Sequence, residues 1–166
     1  IRKYEDITDR MEVEIADYLA EAAKGELSDT ASKKVRSMLS IVNDMERIGD
    51  ICYQMSITIE RKNEQKAYFT PELRTSLEEM IAEVLKALEI MNKNLNSEYK
   101  QVSMADANGA EDIINKMRNK LRKEYLTKIE KGEVKIQTGM IYNNLIHCLE
   151  KVGDHVHNIT EAITGN

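Results

Sequence analysis

The sequence predicts an all-α protein, an antiparallel bundle of about five long helices. Three observations carry this reading. The 166 residues include one proline, Pro71, and seven glycines, so little interrupts regular structure. Tryptophan is absent and Phe69 is the sole phenylalanine, while Ala, Leu, Ile, Met, Glu and Lys are plentiful, a helix-forming composition rather than a strand-forming one. Apolar residues recur at helical spacing over long stretches. The same composition excludes collagen-like, β-sandwich and disulfide-framework classes. With 42% hydrophobic and 32% charged residues, the chain is long enough to bury a core without staples.

The first helix runs from the start of the chain to about Lys24, with Met11, Ile15, Leu19 and Ala22 on one face, and Gly25 ends it. The second runs from near Ser28 to about Lys62, roughly 50 Å at 1.5 Å per residue. Its seam is Val35, Met38, Val42, Met45, Gly49, Cys52, Met55 and Ile59. The polar stretch at 61–66 and the following Tyr68-Phe69-Thr70-Pro71 form the clearest break, with Thr70 suited to an N-cap and Pro71 to the first helical position. A third helix follows, carrying Leu73, Leu77, Met80, Ile81, Val84, Leu88, Met91 and Leu95. The fourth covers about Met104 to Lys131, with Ile114, Met117, Leu121 and Tyr125. The fifth runs from about Glu133 to Ile163, with Ile141, Leu145, Leu149, Val152, Val156, Ile159 and Ile163.

Net charge is -5, with 29 acids against 24 bases. An acidic chain of this kind is not expected to bind nucleic acid or to dock directly on anionic lipid. Mean hydropathy is -0.51, and no stretch reaches the apolar run that crosses a membrane. Cys52 and Cys148 fall inside apolar helical patterns and read as two buried free thiols. No signal peptide is visible, and the chain begins with Ile1, which reads as a piece of a longer protein.

Self-comparison reveals an internal repeat. Lys24-Gly25-Glu26-Leu27 recurs as Lys131-Gly132-Glu133-Val134, and Glu46-Arg47-Ile48-Gly49-Asp50 as Glu150-Lys151-Val152-Gly153-Asp154. Glu5-Asp6-Ile7-Thr8-Asp9 is matched by Glu111-Asp112-Ile113-Ile114-Asn115. Helices one and two are therefore echoed by four and five, and the third helix opens the second repeat. Residues 1–70 form a truncated first repeat whose leading helix is missing, and 71–166 the second, together one compact domain. The repeated glycine lies mid-helix, where it costs about 0.5–1 kcal/mol relative to alanine. Close helix packing and backbone approach to an ion or partner helix both account for it.

Glu46 and Asp50 project on the shoulder of the second helix's apolar seam, and Glu5, Asp9 and Glu12 flank the buried side of the first. If these helices pack antiparallel, five carboxylates share one region, which requires a cation or protons unless the side chains splay into a solvated groove. Hard oxygen ligands suit Mg, Mn, Fe or Ca, with some room for Zn. In the second half Glu111, Glu150 and Asp154 persist, but Asn115 replaces the second acid and Arg118 stands where the first repeat has Glu12. Arg118 there serves as an ordinary ion-pair partner. His147 and His157 share a stripe roughly 80° wide with Glu150 and Asp154, which admits a transition-metal half-site or plain interhelical hydrogen bonds, whereas His155 projects elsewhere.

These paired Glu-x-x-x-Asp motifs, above all Glu46-Arg47-Ile48-Gly49-Asp50 and Glu150-Lys151-Val152-Gly153-Asp154-His155, resemble those of the PhoU family over nearly the whole chain. The resemblance implies three-helix repeats that regulate phosphate uptake without catalysis. It also implies metal bound at Glu5, Asp9, Glu46 and Asp50 in one site and at Glu111, Glu150 and Asp154 in another. The chain is further similar to the cytoplasmic PhoU-like tail of bacterial sodium/phosphate cotransporters. That similarity implies a membrane-embedded transporter domain of the same chain as partner, a place at the cytoplasmic face of the inner membrane, and room for a homodimer. A free-standing phosphate-signalling regulator and a ligand-free structural or dimerisation bundle are the alternatives. No enzyme is expected: a ferritin-like di-metal centre needs Glu-x-x-His on each of two helices, and no glycine-rich phosphate loop is present.

Overall fold

The computed structural model describes residues 1–165. Five long helices fill it: α1 (Arg2–Ala22), α2 (Asp29–Glu64), α3 (Pro71–Leu95), α4 (Ala105–Glu130) and α5 (Ile136–Thr164), with a short 3-10 turn at Tyr99–Gln101 that the periodicity did not predict. No strand occurs among the described residues. The predicted boundaries hold within a few residues, and their local causes are visible. The Ser28 hydroxyl accepts from the Ala31 amide at 3.2 Å to cap α2. Thr70 accepts from the Leu73 amide at 3.4 Å, with Pro71 at the first position of α3. Gly25 and Gly132, from the repeated Lys-Gly-Glu, take φ of 127° and 72°, left-handed values that release the chain from α1 and α4.

The two long helices α2 and α5 make the central and most extensive contact. They run antiparallel, since Asp44 meets His155 while Thr58 meets Asn144. α3 and α4 pack on α5 and on each other, and α1 packs against α2. The core lies mainly on the α3–α4–α5 side, where Met80, Ile114, Leu145, Ile146 and Ile159 are almost wholly enclosed. At one end Phe69 and Tyr125 contact the Tyr142 ring edge-on, with centroids 5.4 and 6.0 Å away. Burial pushes the Tyr142 hydroxyl up to about 12.

The repeat is visible in three dimensions. α1 lies on α2 as α4 lies on α5, and the repeated glycine sits at both crossings. Close packing explains it: a Cβ on Gly49 would stand 2.6 Å from Thr8 Oγ1, and one on Gly153 would stand 3.0 Å from Ile114 Cδ1. Thr8 and Ile114 are themselves repeat counterparts.

The halves differ in cover. α3 shields α4 and α5, whereas no helix among the described residues occupies the matching place over α1 and α2. This corrects the expected core. Met38, Met45 and Ile59 of the predicted α2 seam are 42–47% exposed, and Met11 of α1 is 50% exposed. Their counterparts Tyr142, Leu149, Ile163 and Met117 are buried or packed on the core. Cys52, expected buried, is exposed, and Cys148 is half-buried. The α2 face turned to the core keeps Met55 of the predicted seam and is otherwise Ile41, Asp44, Ile48, Ile51 and Thr58.

Candidate metal centre

Antiparallel packing of α1 on α2 brings the start of α1 to the middle of α2. Thr8 rests in the space left by Gly49, so Glu5, one turn before Thr8, meets Asp9 and Asp50, the residues next to Thr8 and Gly49. One carboxylate oxygen from each of Glu5, Asp9 and Asp50 lies within 4.8 Å of the others. Glu5 and Asp50 are half-buried and Asp9 is exposed. The Thr8 hydroxyl donates to the Glu5 carbonyl at 2.9 Å, which holds the side chain that meets Gly49.

Glu46 sits one turn from Asp50 with 14% of its side chain exposed. Its pKa is raised to about 7, first by burial, then by a hydrogen bond to Asp50 and the repulsion of that carboxylate, with Glu12 adding to the repulsion. Arg47 opposes this from 3.7 Å. Glu5 is also raised, by its loss of water first and then by Asp9, Asp6 and Asp50. Five carboxylates, Glu5, Asp9, Glu12, Glu46 and Asp50, therefore share one groove with too little positive charge beside them.

This donor set fits a hard cation. It offers carboxylate oxygens from two helices at mutual distances a single ion spans, and a cation there would oppose the carboxylate repulsion that adds to burial in raising Glu46. Glu5, Asp9 and Asp50 can thus hold a divalent or trivalent metal ion.

The corresponding groove between α4 and α5 has a different chemistry. Arg118 Nη2 lies 3.5 Å from Glu150 Oε1 and 3.5 Å from Asn115 Oδ1. His147 Nδ1 is 3.3 Å from Glu150 Oε2. Lys151 donates to Asp154 at 2.7 Å, and this bond raises the Lys151 pKa. Glu111 faces His157 Nε2 at 3.3 Å, and that nitrogen donates to Asn108 Oδ1 at 2.8 Å. Each acid here meets a base, and these residues form no cluster of three ligands like that on α1 and α2. His147 and His157 engage different carboxylates because ten residues separate them by about 15 Å along α5.

The sequence reading missed Asp44. This buried carboxylate is 2.7 Å from His155 Nδ1 and 3.5 Å from Asn158 Nδ2, tying α2 to α5. Its signal was available: Asp44 stands between Ile41 and Ile48 at helical spacing, an acid inside an apolar stripe. His155, which leaves the predicted histidine stripe, is the partner it reaches.

A long-helix bundle with repeated Glu-x-x-x-Asp motifs and an acidic groove able to hold a cation is a helical repeat domain. The sequence profile of the PhoU domain matches residues 1–59 and 70–163, and the chain belongs to the PhoU family, whose members are non-catalytic regulators. It is 28% identical over 135 residues to the phosphate-specific transport system accessory protein PhoU homolog 1 of Thermotoga maritima. That alignment covers 79% of this chain and 56% of the relative, so the chain spans about half the length of that protein. No solved structure matches the chain.

Proposed function

We propose that this chain is a metal-responsive regulatory domain of phosphate uptake. The observation that carries the metal part is the convergence of Glu5, Asp9 and Asp50, flanked by Glu46 and Glu12, at the α1–α2 crossing. A bound cation would supply positive charge where the groove lacks it. Glu5 and Asp9 on α1 and Asp50 on α2 would then hold the two helices together instead of repelling them. The paired groove of Glu111, Glu150 and Asp154 serves as the structural counterpart, with Arg118 and Lys151 in place of the ion. The phosphate part rests on the family and on the relative's role as an accessory to phosphate-specific transport.

The finer reading takes residues 1–70 and 71–166 as two repeats, the first without its leading helix, in the cytoplasmic tail of a sodium/phosphate cotransporter. The uncovered strip of Met38, Met45 and Ile59 supports a further helix over α1 and α2. No helix described here is long and apolar enough to cross a membrane, so in this reading the membrane-embedded partner lies in another part of the same polypeptide. That would place the domain at the cytoplasmic face of the inner membrane. The same strip is where a homodimer would form.

The test is metal titration of the purified chain with Mn, Fe, Zn, Mg and Ca, followed by calorimetry and thermal melting. Wild type should bind at least one ion and melt higher with it. Asp50→Asn should lose at least tenfold in affinity, and Asp154→Asn should not. Equal binding by wild type and Asp50→Asn, or none by either, overturns the metal reading.

A further inference from the structure

Two adjoining clefts lie at the N-terminal end of α2, away from the acid groove at its middle. One, of about 400 Å³, is lined by Lys33, Arg36, Ser37 and Ser40. The other, of about 330 Å³, shares Lys33 and Ser37 and is walled by Met38, Ile41, Tyr99 and Ile163. Each volume lies within the range of small-ligand sites.

The polar groups here are unspent. Among the described residues neither Lys33 nor Arg36 meets a carboxylate within ion-pair distance, although the chain carries 29 acids. The Ser37 and Ser40 hydroxyls have no hydrogen-bond partner among the described residues. Two hydroxyls further along α2 are occupied: Ser56 and Thr58 donate to carbonyls of Tyr53 and Gln54 at 2.8 and 2.9 Å. Two cations and two hydroxyls on successive turns of one helix face supply the donors an oxyanion requires. The adjoining wall supplies what an apolar or planar body requires.

We propose that this paired cleft binds a small organophosphate, with its phosphate on Lys33, Arg36, Ser37 and Ser40 and its body against Ile41, Tyr99 and Ile163. A mononucleotide is the simplest ligand of that chemistry. The net charge of -5 favours a soluble ligand over an anionic membrane surface. The site is independent of the acid groove, since Arg36 and Glu46 are about 15 Å apart along α2.

The experiment is calorimetric and NMR titration with AMP and, separately, inorganic phosphate, both in EDTA, so that failure of the metal reading cannot affect the outcome. AMP should bind at least tenfold more tightly than inorganic phosphate, with shifts at residues 33–40 and 99. Lys33→Ala/Arg36→Ala should lower affinity for AMP at least tenfold. Tyr99→Ala should weaken AMP and leave inorganic phosphate unchanged. Both variants alter exposed side chains, and an unchanged melting curve verifies their folding. No AMP binding at millimolar concentration, AMP binding indifferent to the double variant, or equal affinity for inorganic phosphate would overturn the proposal. Co-sedimentation with phosphatidylglycerol vesicles through Lys33 and Arg36, without AMP binding, would also overturn it in favour of a lipid headgroup.

Discussion

Gly49 of α2 lies directly under Thr8 of α1, so close that a Cβ at position 49 would stand 2.6 Å from Thr8 Oγ1. This contact sets how deeply α1 seats on α2, and with it the spacing of Glu5, Asp9 and Asp50. The equivalent contact of Gly153 with Ile114 is looser, at 3.0 Å from the end of a flexible side chain.

Alanine at these two glycines should therefore act differently. Helix propensity favours alanine by about 1 kcal/mol at both. At Gly49 the new methyl must displace Thr8, whose hydroxyl already bonds the Glu5 carbonyl, and overpacking of this kind costs about 1–3 kcal/mol. Gly49→Ala should lower stability on urea denaturation and weaken metal binding, and adding Thr8→Ala should restore both. Gly153→Ala should stay within about 1 kcal/mol of wild type, since Ile114 can rotate its terminal methyl away.

The raised pKa of Glu46 gives the metal-free protein a definite pH profile. An acid whose folded pKa is about 7 and whose ordinary value is 4.5 holds its proton in the folded state after the unfolded chain has lost it. Its contribution to stability consequently falls as pH rises from about 4.5 to about 7, and is flat above. Melting temperature recorded from pH 4.5 to 8 should show this decline, and Glu46→Gln should flatten it. A Glu46→Gln profile that superimposes on wild type would refute the assignment.

Arg118 should be costly to remove. It faces Glu150, whose side chain is 10% exposed, and its loss leaves that carboxylate to His147 and Lys151. Arg118→Met should destabilise by about 1–3 kcal/mol, and Glu150→Gln in the same chain should recover much of that. A double-mutant cycle measures the coupling directly.

Repeat counterparts should differ in sensitivity. Leu149 is 3% exposed, and Met45 at the same repeat position is 42% exposed. Leu149→Ala should cost about 2–5 kcal/mol, and Met45→Ala less than about 1 kcal/mol. Equal costs in the isolated chain would mean that Met45 is covered in solution, as in a dimer.

Asp44 ties the two long helices through His155 at 2.7 Å. Asp44→Ala strands the histidine and should cost about 1–3 kcal/mol by denaturant titration. Asp44→Asn, which keeps a hydrogen-bond acceptor, should cost less.

Local chemistry was legible from the sequence. Ser28, Thr70, Pro71 and the two turn glycines mark helix ends because capping and left-handed φ depend on residues within one turn. The α3, α4 and α5 seams were also legible, because each helix has one dominant apolar stripe and that stripe is covered. α2 was misread because it carries two stripes, one toward α5 and one left open, and periodicity cannot say which finds a partner. The acid groove was partly legible: the shoulder placement of Glu46 and Asp50 follows from 100° per residue, but their meeting with Glu5 and Asp9 depends on the depth of helix packing.

The sequence by itself determined the fold class, the helix limits, the internal repeat and the excess of acids on α1 and α2. Only the tertiary structure decided which acids converge, that Arg118 and Lys151 neutralise the second groove, and that Asp44 reaches His155. The physical reason is range. Capping, propensity and periodicity act over a few residues and are written in order along the chain. Carboxylate convergence and ion pairing depend on contacts between helices distant in sequence, and at the Gly49–Thr8 crossing that separation is set by one missing methyl group.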